Sequence, residues 1–475
     1  MADDSDKCTT SIANRKPSWP PIRLALVAIL VSFGSSFNFG FQLLITNPAQ
    51  GAFLKNEWSF IVAIFFLGSV IGAFLIRVIS ERFGRKNGLI LSISLQFTSC
   101  VMAIVSFFIV NHYMYTFSRL LMGTGITTSM GIAAIFVTEA SPLHCRGITS
   151  LINGVLLQFS LSVGAILAMP QLLGTPSLWY LLYVFEMIII TIVLILLPFI
   201  HDSPGHLASN SKPHKTAHSI EFYHSISKAH AEDEASRLMD THIMLPGTSK
   251  KSLMSVWRDP FVRRGTFLGM VVTFSMAMSG ITVINAFAFE ILLNTGLEKY
   301  EASIANAFVC LFSLAGILVS TRIIDHHGRR PLLLSTFAAL AVVNVIIVGL
   351  MYAHEYTETH LVGYLLVASI CLFNFVFAMG PGPVSLFISG ELVPHSYRSA
   401  SSTWSNAIMA SSRFIILSIY LPVKNMSSEY IAYAIFFIAP MIAAVALLYF
   451  ILPESKNKSP EEIQAVYEKK QTITK

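Results

Sequence analysis

The sequence predicts an all-α membrane protein with twelve transmembrane helices in two six-helix halves. Of its 475 residues, 54% are hydrophobic and only 12% are charged, and the mean hydropathy is +0.65. Soluble domains carry about 25% charged residues. A chain this apolar cannot cover a water-facing surface with polar groups, whereas the interior of a bilayer accepts apolar side chains. The number of apolar stretches and the placement of the basic residues complete the prediction.

The apolar stretches are long enough to cross a bilayer, which takes about 20 residues of helix. The first of them has no small-residue cleavage pattern behind it, so we expect it to be retained rather than removed as a signal peptide. The predicted spans are 22–46, 57–79, 87–110, 114–137, 148–172, 178–200, 265–290, 301–323, 331–353, 361–389, 402–422 and 429–452.

One long polar segment, residues 201–264, divides the spans into six and six. We therefore expect an N-terminal bundle at 22–200, a partly helical cytosolic linker at 201–264 and a C-terminal bundle at 265–452. The polar tails, 1–21 and 453–475, are both placed in the cytosol.

The basic residues give the orientation. When the N-terminus is placed inside, Lys55, Lys299 and Lys424 are the only basic residues in outside loops, of 32 in the chain. Arg119 and Arg413 fall within spans, and the others lie in cytosolic segments or next to them. This asymmetry is typical of a membrane protein with both termini inside. It also accounts for the net charge of +6 without a nucleic-acid partner.

The two halves repeat a charged pattern. The run from Glu81 to Lys86 follows the second span, and a matching run from Asp325 to Arg330 follows the eighth. A Glu and an Arg seven residues apart follow the fourth and tenth spans alike. Two such matches in equivalent loops indicate parallel six-helix repeats, which are known from transporters.

Short motifs spread along the chain resemble those of the facilitative glucose transporters and other sugar porters of the major facilitator superfamily. The matched region runs from about Gly34 to Glu462. The resemblance implies a major facilitator fold and alternating-access transport. The matching motifs lie at 47–50, 82–86, 139–142, 146–147, 202–204, 279–281, 328–330, 380–383, 391–392 and 453–456.

The charged pattern predicts a cytosolic latch. Arginine pairs with carboxylates in a directional, bidentate way, so these residues can hold the halves together and separate when the transporter opens inward. Anchoring by positive charges alone is the alternative for any single arginine. The predicted gate residues are Glu81, Arg82, Arg85, Lys86, Glu139, Arg146, Asp325, Arg329, Arg330, Glu391 and Arg398.

A second expected moving part is the run Gly380, Pro381, Gly382 and Pro383 within the tenth span. Proline removes a backbone donor and glycine loosens the chain. Free backbone groups at membrane depth are tolerated only against protein or a wet cavity. We therefore expect a hinge that lines the transport pathway, with a static kink as the alternative.

Several positions depart from the sugar-binding pattern that the resemblance implies. Amide, glutamate and tryptophan positions of the family hold Asn153-Gly154, Met276, Ala277, Thr282, Ala378, Leu386 and Met409-Ala410 here. A site that reads hydroxyls needs hydrogen-bond partners, so other polar residues must supply them, unless they join helices instead. The candidates for substrate contact are Gln42, Asn153, Gln158, Thr282, Asn285, Ser313, Asn374 and Arg413.

Arg413 is unusual because the family has a neutral residue there. An arginine at mid-span is costly, so we expect it to meet an anionic substrate or to pair with Glu186 or Glu290. The alternative is that its span begins later and the side chain reaches the cytosolic interface. Gln42 stands where proton-coupled sugar porters carry an aspartate, which favours a uniporter.

These observations predict a multi-pass transporter, in the plasma membrane, of a small polar solute, most simply a hexose. Two alternatives remain: an organic-anion transporter of the urate type that uses Arg413, and a homologue without transport activity that acts as a sensor or partner protein. No catalytic or metal-binding constellation emerges, so neither an enzyme nor a cofactor is expected. Asn425 begins a glycosylation pattern close to the membrane.

Overall fold

A computed structural model describes residues 19–52, 55–142, 145–210, 212–244, 252–294, 297–357 and 359–454. Within these ranges the side chains of 50–52, 55–57, 146, 240–244, 321, 324–327, 386–387 and 395 fall outside the description. The predicted tail 1–21 is therefore described only from Trp19 onward, and the tail 453–475 only at its first two residues.

The described residues are almost entirely helical. Short 3₁₀ or π turns occupy Asn47–Ala52, Leu197–Phe199, Leu253–Trp257, His395–Tyr397 and Ala434–Ile438. The α-helices are α1 Ile22–Phe33, α2 Ser36–Leu44, α3 Lys55–Arg82, α4 Arg85–Ile109, α5 His112–Ala140, α6 Arg146–Leu167, α7 Tyr180–Leu196, α8 Pro204–Ser209, α9 Pro213–His224, α10 Lys228–Met244, α11 Pro260–Ala277, α12 Ile281–Asn294, α13 Lys299–His327, α14 Arg329–Thr357, α15 His360–Met379, α16 Pro381–Glu391, α17 Arg398–Met426, α18 Glu429–Tyr433 and α19 Ala439–Ile451.

The prediction of twelve spans is confirmed. Twelve helical segments in the described ranges are long and apolar enough to cross a membrane, and each coincides with a predicted span. The seventh span begins at Pro260, earlier than expected. The reason is local, because the Asp259 carboxylate caps this helix and accepts hydrogen bonds from the backbone N–H groups of Phe261 (2.9 Å) and Val262 (3.4 Å).

Three spans are interrupted. The first breaks between α1 and α2, the seventh between α11 and α12, and the tenth between α15 and α16. In the seventh span Gly280 has φ +103°, which other residues rarely adopt. The Asn344 amide donates to the freed carbonyl of Ser279 (2.9 Å), and the Tyr433 hydroxyl donates to Asn344 Oδ1 (3.0 Å). Two other spans of the same half thus hold this break in place.

Close helix contacts within the N-terminal half depend on glycine. Gly123 of α5 lies directly against the backbone carbonyl of Phe65 on α3, and Gly68 of α3 lies against the carbonyl of Leu120. Small residues at such crossings let two backbones approach each other, which is how membrane helices gain packing energy.

We predict that Gly123→Ala destabilises the protein, because its added Cβ would overlap the Phe65 carbonyl and force α3 and α5 apart. Overpacking of this kind costs about 1–3 kcal/mol. The matched control is Gly349→Ala in α14, where an added Cβ meets nothing within 4 Å. The thermal midpoint of the purified protein should fall for the first variant only, and equal midpoints would contradict this packing.

Candidate functional site

The two halves meet mainly along two helix pairs. On one side α3 packs against α17, and on the other α6 packs against α13. We call these the α3–α17 interface and the α6–α13 interface. A path between the halves has to run between these two contacts, so the polar groups that they hold at mid-membrane are the first candidates for a solute site.

The α3–α17 interface is mainly aromatic. Phe74 meets Trp404 edge-on at 5.6 Å between ring centroids, and Phe60 meets Phe414 at 6.5 Å. Near the end that is predicted to face outward, which we call the outer end, the Ser59 hydroxyl donates to the Leu417 carbonyl. The halves are therefore in contact along most of this helix pair.

Arg413 lies between those aromatic contacts. Its guanidinium carbon is 5.6 Å from the centre of the Phe66 ring on the opposite half, and only 8% of the residue is exposed. Its Nε is buried without a hydrogen-bond partner. The helix begins at Arg398, fifteen residues earlier, and the Arg413 side chain packs on Phe66 of the opposite half, so the structure does not favour a side chain that reaches the cytosolic interface.

The expected pairing of Arg413 with Glu186 or Glu290 is wrong. The Glu186 carboxylate accepts hydrogen bonds from Gln42 (2.5 Å) and Cys100 (3.8 Å) inside the N-terminal half. The Glu290 carboxylate forms an ion pair with Lys424 near the outer end of the C-terminal half, with 3.1 Å between Oε1 and Nζ. Both acids already have partners within their own bundles. Arg413 therefore contacts the Phe66 ring and pairs with no carboxylate among the described residues.

The α6–α13 interface contains the second polar contact between the halves. The Ser313 hydroxyl donates to Gln158 Oε1 at 2.9 Å, and both residues are buried. Two of the predicted substrate residues, one from each half, are thus brought together. Toward the outer end the contact becomes apolar, where Leu161 and Ala165 join a cluster with Ala307 and Cys310.

The other predicted substrate residues are spread over different sites. Asn153 accepts hydrogen bonds from Ser32 and Ser36 of the first span, the latter at 3.5 Å. The Asn374 amide donates to the Ile370 carbonyl of its own helix (3.1 Å). These contacts join or stabilise helices, as such residues often do in membrane proteins.

Gln42 lies inside the N-terminal bundle rather than at the contact between the halves. It is fully buried, its amide nitrogen donates to Glu186, and its oxygen accepts from Arg119. Arg119 also packs 4.8 Å from the centre of the Phe65 ring. The arrangement places a neutral amide between an acid and a base, where it links three spans.

Thr282 and Asn285 retain unused polar groups. The Thr282 hydroxyl is buried without a hydrogen-bond partner, and Asn285 is half-buried. Both belong to α12, the outer part of the seventh span, which packs against α2 of the N-terminal half. A buried hydroxyl without a partner costs free energy, so a solute that bonds to it would be favoured.

Two of the predicted gate charges, Arg85 and Glu139, belong to an ion-pair network at the end of the N-terminal half that is predicted to face the cytosol, which we call the cytosolic end. Arg85 Nη2 donates to Glu139 Oε1 at 2.7 Å, and Arg85 Nη1 lies 2.8 Å from His206 Nδ1. The other Glu139 oxygen accepts from the Ser203 hydroxyl at 2.5 Å. Asp202 Oδ1 accepts the backbone N–H of Lys86 at 3.1 Å, at the start of α4.

The C-terminal half repeats this arrangement. Glu454 accepts the backbone N–H groups of Arg329 (3.0 Å) and Arg330 (3.2 Å) at the start of α14. Arg329 Nε lies 3.5 Å from Glu391 Oε1. The residues before these helix starts are Gly84, with φ +85°, and Gly328, with φ +83°. The carboxylates stabilise the positive ends of the two helices.

The described ion pairs of this set lie within each half, and a latch between the halves stays a prediction. Arg85 with Glu139 joins α4 to α5, and Arg329 with Glu391 joins α14 to α16. Glu81 pairs with Arg77 of its own helix at 3.1 Å. Arg82 and Arg398 are exposed. The side chains of Arg146 and Asp325 lie outside the described residues, so the predictions for them stay untested.

Sequence reasoning missed four residues of these networks: Asp202, Ser203, His206 and Glu454. Their signal was present, because 202–204 and 453–456 follow the sixth and twelfth spans as equivalent motifs. Reading the carboxylate in each motif as a cap for the neighbouring helix would have found Asp202 and Glu454.

The predicted hinge coincides with a real break. The helix ends at Met379, and Gly380 has φ −128° and ψ −76° before α16 begins at Pro381. Gly380 lies directly against the Thr336 side chain of α14. A side chain at this position would collide with the ninth span, so the break depends on glycine. Movement at this point stays a prediction.

The comparisons with known proteins fit this arrangement. The family described as "Sugar (and other) transporter" matches residues 24–467. The chain belongs to this family.

Relatives in the sugar transporter family match over most of the chain. The human "Solute carrier family 2, facilitated glucose transporter member 9" is 23% identical over 96% of this chain and 87% of its own length. Chicken (Gallus gallus) member 1 is 26% identical over 88% of this chain and 84% of its own length. Caenorhabditis elegans "Facilitated glucose transporter protein 1" is 24% identical over 94% and 91%, respectively.

Solved structures share the major facilitator fold. The proton:xylose symporter XylE bound to 6-bromo-6-deoxy-D-glucose gives a TM-score of 0.73 at 19% identity, over 94% of this chain and 98% of that chain. A partially occluded inward-open conformation of XylE from E. coli gives 0.76 at 19% identity, over 92% and 99%. The expected fold and family are thereby confirmed.

His206 is expected to make stability depend on pH. Burial lowers the pKa of His206 below its usual value; Arg85 adds to this effect, and Asp202 opposes it. As the pH falls, His206 binds a proton near pH 6.5 in the unfolded chain and only at a lower pH in the folded chain. The free energy of unfolding is therefore highest above about pH 6.5 and falls as the pH drops below that value.

Thermal midpoints at about pH 7.5 and about pH 5.5 test this prediction. The loss of stability on acidification should be smaller in His206→Gln than in the unchanged protein. His230→Gln, at an exposed position of α10, is the matched control and should leave the loss unchanged. An equal loss in His206→Gln would exclude His206 as its source.

Proposed function

We propose that the protein is a facilitative, alternating-access transporter of a small polar solute, most simply a hexose. One observation carries this proposal. The two halves each hold their own ion pairs, and polar side chains of both halves meet at the contact between them. Gln158 and Ser313 meet across it, and the described ion pairs at its cytosolic end lie within the halves. Such halves can rock about a site at their contact without breaking their own networks.

Membership of a sugar transporter family supports the choice of a hexose, as do relatives named as facilitated glucose transporters. The solute would lie between the α3–α17 and α6–α13 interfaces. Gln158, Ser313, Thr282 and Asn285 supply hydrogen-bonding groups near that path. They would replace the amides that this chain lacks at the family positions.

Uniport is supported by Gln42. A carboxylate at this position beside Glu186 would share the single cation of Arg119, and two neighbouring acids do not both ionise readily. One of them would then carry a proton that could be exchanged during transport. The neutral amide of Gln42 instead bonds to both Glu186 and Arg119, which removes the second acid.

Uptake into proteoliposomes tests this proposal. We expect saturable uptake of labelled glucose or fructose that is the same with and without a pH gradient. Gln42→Asp should make uptake respond to the gradient, because it restores a second acid next to Glu186. Hexose uptake that collapses without a gradient in the unchanged protein would contradict uniport, and absence of uptake would favour a sensor or partner protein.

A second candidate function, transport of an organic anion such as urate, is favoured by Arg413 alone. A guanidinium that is 8% exposed and packs on Phe66 without a described carboxylate would gain free energy from an anionic solute. Buried charges are stable only when they are paired and hydrogen-bonded. In this function Arg413 would bind the solute directly.

We predict that Arg413→Gln separates the two functions. If an anion is transported, its uptake efficiency should fall about ten- to a hundredfold, since a hydrogen bond to a charged group is worth about 1.5–3 kcal/mol. Arg413→Lys, which keeps the charge, should retain more uptake. Hexose uptake that survives Arg413→Gln, with no anion uptake in the unchanged protein, would exclude the anion function.

The orientation and location are part of the proposal. The distribution of basic residues supports a cytosolic location of both termini, and a transporter of this kind would serve the plasma membrane. The loops that carry the Arg85 and Arg329 networks would then face the cytosol.

A further inference from the structure

Basic side chains from four separate elements meet at the cytosolic end of the N-terminal half. Arg23 of α1 lies 5.5 Å from the centre of the Phe222 ring on α9. His201, after the sixth span, is 4.9 Å from the same ring and 4.6 Å from His218, measured between ring centroids. Lys86 of α4 reaches the end of the sixth span, where its ammonium donates to the Pro198 carbonyl at 2.5 Å.

This basic cluster, Arg23, Lys86, His201 and His218, is not neutralised by its surroundings. Asp202 Oδ1 accepts the backbone N–H groups of Lys86 and Ser203, and its Oδ2 lies 3.9 Å from His206 Nε2. Glu221 lies 3.8 Å from His218 within α9, and its side chain is 42% exposed. Two carboxylates thus lie beside the cluster, and among the described residues neither forms an ion pair with Arg23 or with the Lys86 ammonium, which are its two permanent cations.

The electrostatics of His201 reflect this excess of positive charge. Burial lowers the pKa of His201, and the neighbouring His218 and Lys86 lower it further. Groups that repel one another in this way gain free energy when an anion binds among them. The Lys86 ammonium has three donors and uses one on Pro198, so it can bond to a bound group as well.

The cluster lies beside an apolar boundary. Trp19 is 86% exposed and Ile22 is 78% exposed at the start of the first span, and Phe199 is 80% exposed at the end of the sixth. Exposed aromatic residues at the ends of spans mark the interface between lipid and water. A ligand in the cluster would therefore carry its charge at headgroup level and have apolar surface next to it.

We propose that Arg23, Lys86, His201 and His218 bind the phosphate of an anionic phospholipid from the cytosolic leaflet. Basic pockets between transmembrane helices at this level suit such headgroups. The exposed Trp19, Ile22 and Phe199 favour a lipid over a free phosphate compound, because they would contact its acyl chains. The choice of leaflet rests on the orientation proposed above, whereas the site itself does not require sugar transport.

Binding to the purified full chain in neutral detergent tests the proposal. The probes are phosphatidylinositol 4-phosphate, phosphatidylcholine and the soluble headgroup inositol 1,4-bisphosphate. Native mass spectrometry reports retention, and the thermal midpoint reports stabilisation. We expect the unchanged protein to retain phosphatidylinositol 4-phosphate and to be stabilised by it, with weak or no effect of the other two.

Variants distinguish binding of the lipid at the cluster from a general attraction of the anionic lipid to positive charge. Arg23→Gln should weaken retention about fivefold, the usual effect of one cation near a membrane surface, and Arg23→Lys should keep it. The matched control is Arg237→Gln, which removes an exposed arginine of α10 outside the cluster and should have no effect. Equal weakening by Arg237→Gln, equal binding of the soluble headgroup, or no preference over phosphatidylcholine would each overturn the proposal.

Discussion

A bilayer offers no hydrogen bonds to the backbone, and much of this structure follows from that constraint. The described residues satisfy it by forming helix almost throughout. Each departure from helix therefore needs compensation from a neighbour. In the seventh span Asn344 supplies it by bonding to Ser279. In the tenth span Gly380 keeps local backbone hydrogen bonds to Val376 and from Val384. The break in the seventh span is therefore a point at which the chain gives up a local hydrogen bond and relies on another helix.

The same dependence explains how the halves are built. Within the N-terminal half, glycines bring α3 and α5 into backbone contact, while Gln42, Glu186 and Arg119 link three spans through side chains. At the cytosolic end, Asp202 and Glu454 bind the starts of α4 and α14 in an equivalent way in the two halves. The polar groups hold each half together internally and leave the contact between the halves mainly aromatic and apolar, with few polar bonds. An interface of that kind can separate at a smaller cost than a network of ion pairs.

Arg413 is the exception at this contact. Most buried charges in the described part of the protein have a partner of opposite charge or a polar neighbour, as Glu186 and Arg119 do. Arg413 has an aromatic ring instead. A cation–π contact compensates part of the loss of hydration, so the position tolerates a charge. Phe66 belongs to the opposite half, so that charge lies at the contact between the halves.

The sequence by itself determined the number and positions of the spans, the division into two halves and the family, because the lengths of apolar stretches and the spacing of motifs are local properties of the chain. It also located the break at Gly380, since glycine and proline act on their own backbone. Only the tertiary structure decided which side chains meet. Gln42 was expected near the solute and lies inside a bundle, and two of the expected gate pairs, Arg85 with Glu139 and Arg329 with Glu391, form within a half. The partner of a polar residue in a membrane helix depends on the rotation and crossing of helices that are far apart in the chain, and periodicity along one helix does not contain that information.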